Sequence, residues 1–277
     1  MGTSGSYGGS TTGLVPSWVD DDPAAAPPGE TAPPQTGGDD VPLAYPLIPS
    51  PVAGPALSSA RASMTRGFRG ADERAVRRSA SQYVAARGGA RGATRSMGSS
   101  RAVAAGIARF AQSVASEGVA GALRALDLGA LVGAPVVSVF IALTDALCPP
   151  GGTIDEAIAR EAMLETVAVF ASDGVSDFDD LTADDLEEFF VGVVTRSIES
   201  KVSNEVSRTG VGRAHDLAAI EQAERMLHDF VEGCVRDHLS TVDSRLRDLA
   251  DVEIDQFVSE LYVASFDLMR SLGERDS

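Results

Sequence analysis

The 277-residue chain carries a formal net charge of −17, is 44% hydrophobic and holds two cysteines, Cys148 and Cys234. Two cysteines exclude a disulfide framework and suit a reducing compartment, so a cytoplasmic location is expected. The first twenty residues lack a basic segment followed by an apolar one, so no secretory signal peptide is expected.

Charge divides the chain into three parts. Residues 1–60 hold six acids and no base, residues 61–110 eleven arginines and two acids, and residues 111–277 twelve bases and 32 acids. Three regions are expected accordingly: a disordered arm over 1–57, an arginine-rich linker over 58–105, and an acidic α-helical domain over 106–277.

The arm is rich in Gly, Ser, Thr, Pro and Asp, and eleven of the fourteen prolines fall between positions 16 and 55. Such a composition buries too little apolar surface to offset ordering, about 1–2 kcal/mol per residue for the backbone. Two apolar islands interrupt it, Leu14-Val15-Pro16 with Trp18 and Val19, and Leu43, Tyr45, Leu47 and Ile48. Trp18 is the single tryptophan, an aromatic anchor of the kind that docks into partners.

In the arginine-rich region one short helix is expected over 72–87, with Val76, Ala80, Tyr83 and Val84 on one side and Arg74, Arg77 and Arg78 on the other. Gly88, Gly89 and Gly92 then break it into a flexible run. Beyond about Arg101 the periodicity is helical throughout. The apolar stretch 130–147 is short for a membrane span and interrupted by Gly133, Pro135 and Asp145, so it reads as a buried helix.

Thr153 with Glu156 and Thr182 with Asp185 form capping boxes that open two helices. The second helix carries a stripe of Leu186, Phe190, Val194, Ile198 and Val202. A third stripe is Ile220, Ala223, Leu227, Phe230 and Cys234; a fourth is Phe257, Leu261, Ala264, Leu268 and Leu272. The fold class is all-α, a bundle of about five to seven helices behind the arm.

Catalytic and cofactor motifs are missing. Lys201, the single lysine, lies in a helical context and not in a phosphate-binding glycine loop, and there is no nucleophile elbow. Cys234 and His238 share a helix face, but Cys234 continues the apolar stripe and reads as structural. The acidic run 177–188 lacks the oxygen ligand and glycine of a calcium loop, because Leu181 and Thr182 stand at those positions. No catalytic residue, metal site or cofactor is expected. The arginines suit an acidic protein surface, the chain's own included; a nucleic-acid-binding adaptor acting through 61–101 is the alternative.

The chain opens Met1-Gly2-Thr3-Ser4-Gly5-Ser6-Tyr7-Gly8-Gly9, with Leu14-Val15-Pro16-Ser17-Trp18 following. This start, ahead of a helical body, resembles the QatB component of Qat anti-phage defence operons. The resemblance implies a non-enzymatic subunit with three partners: a KAP-type P-loop ATPase, a QueC-like enzyme and a TatD-like nuclease. It further implies that Gly2, exposed once Met1 is removed, is the acceptor for the QueC-like enzyme. Thr3 and Ser4 would be its recognition context and Trp18 a docking anchor. Direct nucleic-acid or membrane contact is not implied.

Overall fold

The computed structural model describes residues 57–148, 152–172, 178–207, 216–241 and 249–275. The arm, with Gly2, Thr3, Ser4 and Trp18, lies outside the described residues. Within them nine α-helices occur and no strand. They are α1 Ser58–Gly70, α2 Glu73–Ala86, α3 Ala90–Arg95, α4 Gly98–Ala125, α5 Val136–Leu147, α6 Ile154–Ser172, α7 Ala183–Val206, α8 Leu217–Thr241 and α9 Asp251–Arg275. Short 3-10 turns occupy Gly129–Leu131 and Phe178–Asp180.

The six helices from Gly98 onward meet the expectation of five to seven, and both capping boxes are present. Thr153 N–H donates to Glu156 Oε2 at 2.9 Å while Glu156 N–H donates to Thr153 Oγ1 at 3.2 Å. Thr182 and Asp185 exchange the same pair of bonds at 2.8 and 3.2 Å. Each box satisfies backbone donors that the first turn leaves unpaired.

The arginine-rich region departs from its reading as a linker with one short helix. It folds as three helices that belong to the main core, and the expected boundary at 105/106 falls inside α4. The reason is visible in its apolar spacing. Ala60, Met64 and Phe68 recur every fourth residue on α1, and Val76, Ala80, Tyr83 and Val84 line α2; all are buried. Asp72 caps α2 by accepting the Ala75 N–H at 3.2 Å. Gly88 and Gly89, with φ of 83° and 79°, make a tight left-handed turn into α3 where a flexible run was expected.

α9 packs against α2, α3, α4 and α8, so more than one of its faces is buried. The expected stripe was therefore too narrow: Phe257 and Leu261 are buried, but Ala264, Leu268 and Leu272 are only partly so. Ile254, Val258, Tyr262, Phe266 and Met269 fill the inner face, all fully buried.

α5 is tied to the body by Phe140. Its ring stacks on Phe189 at 4.0 Å and 11° and meets Phe178 edge-on at 5.3 Å. Aromatic pairs of this kind contribute about 0.5–1.5 kcal/mol beyond area burial. α4 is broken at Gly118, whose φ of 75° and ψ of 168° interrupt the helix.

Candidate functional site

The feature that distinguishes this body is where the basic region meets the acidic helices. At its centre is Glu205, in the last turn of α7. The Arg87 guanidinium at the end of α2 pairs with its carboxylate, and Arg61 Nε of α1 donates to its backbone oxygen at 3.0 Å. Lys201 Nζ, one turn earlier on α7, lies 3.8 Å from Glu205 Oε1. Lys201 is 9% exposed, and burial pulls its pKa below the ordinary lysine value.

Between α4 and α9, Arg101 Nη1 donates to Ser259 Oγ at 3.1 Å. Arg109 forks onto Asp251 at 2.7 Å and Asp255 at 2.6 Å, which join α4 to the first two turns of α9. Asp155, in the first turn of α6, accepts the Ser99 N–H at 2.6 Å, so it supplies α4 with a cap that Met97 cannot provide. Tyr262, fully buried in α9, shares a 2.7 Å hydrogen bond with Ser197 of α7. The phenol is held above its usual pKa by burial.

The predicted trio Arg74, Arg77 and Arg78 shares a helix but not a role. Arg74 is exposed, whereas Arg77 and Arg78 are half-buried. Arg77 pairs with Glu73 and lies 5.3 Å from the centre of the Phe230 ring on α8. The outward arginines are Arg66, Arg69, Arg74, Arg91 and Arg95. Sequence reasoning missed Glu205, Asp155 and the Asp251–Asp255 pair as partners. Each contacts a residue more than fifty positions away, and no local pattern encodes such a contact.

On the acidic side, α6, α7 and α8 border a groove of about 450 Å³ lined by Glu161, Glu165, Glu199 and Glu224. His228 Nδ1 lies 2.8 Å from Glu199 Oε2. That bond raises the His228 pKa, while burial and then the neighbouring Glu161 raise that of Glu165.

Cys234 is buried, and desolvation pushes its thiol up to about 12, so it stays protonated at neutral pH. Among the described residues no group of three or more His, Cys, Asp or Glu side chains can hold a metal ion. No helix among them is long and apolar enough to cross a membrane.

The fold and this interface define an all-α protein in which an arginine-rich helical hairpin is built into an acidic bundle. Residues 88–269 match the family described as Qat anti-phage system associated protein QatB, and the chain belongs to that family. The match begins at Gly88, so α1 and α2 lie outside it although their side chains are part of the same core. Comparison with curated proteins and with solved structures gave no match. Membership places the chain in a Qat anti-phage defence system, alongside the other components of that system.

Proposed function

We propose that this chain is a non-catalytic subunit of a bacterial anti-phage defence complex. It presents Gly2 to a QueC-like modifying enzyme and docks on a KAP-type ATPase through its helical body; a TatD-like nuclease is the further partner. The observation that carries the reading is the state of the chain's amines. Lys201 is the single lysine, and it is buried beside Glu205. The α-amine exposed by methionine removal is then the one amine left for a modifying enzyme. It titrates near pH 7.7–8.0, roughly, so a sizeable neutral fraction is nucleophilic without help from this chain. Thr3 and Ser4 supply an unhindered approach, and Trp18 anchors the arm.

Intact-mass spectrometry of the protein co-expressed with its neighbouring genes tests this. A mass addition that maps to Gly2, needs the QueC-like gene and disappears in Gly2→Val is expected, with loss of phage protection. The unmodified protein should take up one amine-reactive label quickly and a second only on unfolding; the modified protein should lose the fast one. An unmodified Gly2 under all conditions, with Gly2→Val fully protective, overturns the mechanism.

The five outward arginines favour a second reading, a nucleic-acid-binding adaptor acting through 61–101. In that case wild-type protein binds duplex DNA with a steep salt dependence, and the slope falls when Arg66, Arg69 and Arg74 are changed to glutamine.

A further inference from the structure

Residues 119–132 lie between two glycines that hold left-handed torsions, Gly118 with φ of 75° and Gly133 with φ of 76°. With ψ of 168°, Gly118 occupies a region essentially closed to residues that carry a side chain. A Cβ at either position would meet nothing within 4 Å, so it is the torsion and not the packing that calls for glycine.

The chain is anchored on both sides of this pair. Before Gly118, Arg109 ties α4 to Asp251 and Asp255, and Gln112 Nε2 donates to the Leu249 backbone oxygen. Beyond Gly133, Phe140 holds α5 in the aromatic cluster. The stretch between closes on itself. Asp127, with φ of 60°, ends its helical part: the Asp127 N–H donates to the Arg124 oxygen at 3.1 Å and the Leu128 N–H to the Leu123 oxygen at 2.8 Å, the pairing of a Schellman cap. The Leu131 N–H then donates to the Leu128 oxygen at 2.9 Å. Among the described residues no side-chain hydrogen bond, ion pair or ring contact joins 119–132 to the rest of the body. Of its fourteen residues Ala122 and Leu123 alone are buried, and both belong to the core.

We propose that residues 119–132 form a hinged flap, which turns as one piece about Gly118 and Gly133 and in lifting bares Ala122 and Leu123. α4 before the first hinge and α5 beyond the second stay in place. Local openings draw on segments with few buried apolar contacts, and two buried residues in fourteen meet that condition. Because the piece caps its own helix, it leaves the body with those bonds intact, and apolar contact is what seats it. The closed flap thus withholds an apolar surface that the open flap presents.

Thiol labelling of the full-length protein with an aromatic disulfide reagent tests this, because the chain carries its own references. Cys148, at the end of α5, and Cys234 are buried, and burial pushes their thiols up to about 11 and about 12. Leu123→Cys places a third thiol under the flap; Ala122→Cys, a smaller change at the neighbouring buried position, is the second reporter, and retained helical circular dichroism shows that each folds. The introduced thiol is expected to react at least about a hundredfold faster than Cys148 and Cys234, at a rate nearly independent of urea below the unfolding transition, since a local opening exposes little surface. Gly118→Ala and Gly133→Ala, added to either reporter, should each raise that rate about fivefold or more, because alanine disfavours the closed torsion and escapes it when the flap lifts. Labelling of the reporters only together with Cys234, on global unfolding, overturns the proposal. So does labelling of Cys148 at the reporters' rate, which would mean that α5 leaves with the flap. A rate left unchanged by either alanine also overturns it.

Discussion

Gly273 lies in the last turn of α9 where that helix meets α2. A Cβ at this position would stand 2.4 Å from the Arg77 carbonyl oxygen and 2.6 Å from Ser81 Cβ. The first obstacle is backbone and cannot rotate aside, so Gly273→Ala must push α2 and α9 apart. Overpacking of this kind costs about 1–3 kcal/mol. The helical gain of alanine over glycine, about 1 kcal/mol in a helix interior, is smaller in a last turn and does not offset it. Gly233 provides the internal reference: it is exposed within α8, and a Cβ there meets nothing within 4 Å. Gly233→Ala should therefore stabilise by about 0.5–1 kcal/mol. At about 2–4 °C per kcal/mol for a body of this size, the two alanines should move Tm in opposite directions. Parallel urea and thermal melts followed by circular dichroism read the difference. Equal stabilisation by both alanines would refute the close approach of α2 to α9, and with it the integration of the arginine-rich hairpin into the core.

Glu205→Ala should destabilise more than Arg87→Ala, because it leaves Arg87 and the buried Lys201 both without their carboxylate; roughly 2–4 kcal/mol against 1–2 is expected from urea melts. Arg77→Glu should cost about 1–3 kcal/mol by removing the guanidinium from the Phe230 ring and placing a carboxylate beside Glu73, whereas Arg74→Glu, on the exposed side, should change stability by less than about 0.5 kcal/mol. His228 has its pKa raised in the folded state by Glu199, so its contribution to stability is fully present below its ordinary 6.5 and is lost as pH climbs through the raised value. The stability difference between wild type and His228→Gln should therefore shrink as pH rises above 6.5, as urea melts at stepped pH would show; a constant difference would count against the bond.

Sequence periodicity was enough to establish the all-α class, the two capping boxes and the buried stripes of α7 and α8. These depend on contacts one helical turn apart, which the order of residues dictates directly. The inner stripe of α2 was legible for the same reason, from Val76 through Val84. What the sequence did not reveal was that the arginine-rich region is structural. Its charge suggested a linker because Arg61, Arg87 and Arg109 have partners 144, 118 and at least 142 positions away, in Glu205, Asp251 and Asp255. Only folding brings those acids alongside. The same limit explains α9: a single apolar stripe is what one neighbour requires, and helices on several sides bury residues that a one-face pattern leaves out. The proposed role of Gly2 is the reverse case. It rests on the residues Met1-Gly2-Thr3-Ser4 themselves, whereas the burial of Lys201, the single lysine, is a fact of the tertiary structure. A local motif is written in the order of residues, whereas the burial of a charge is decided by what the rest of the chain packs around it.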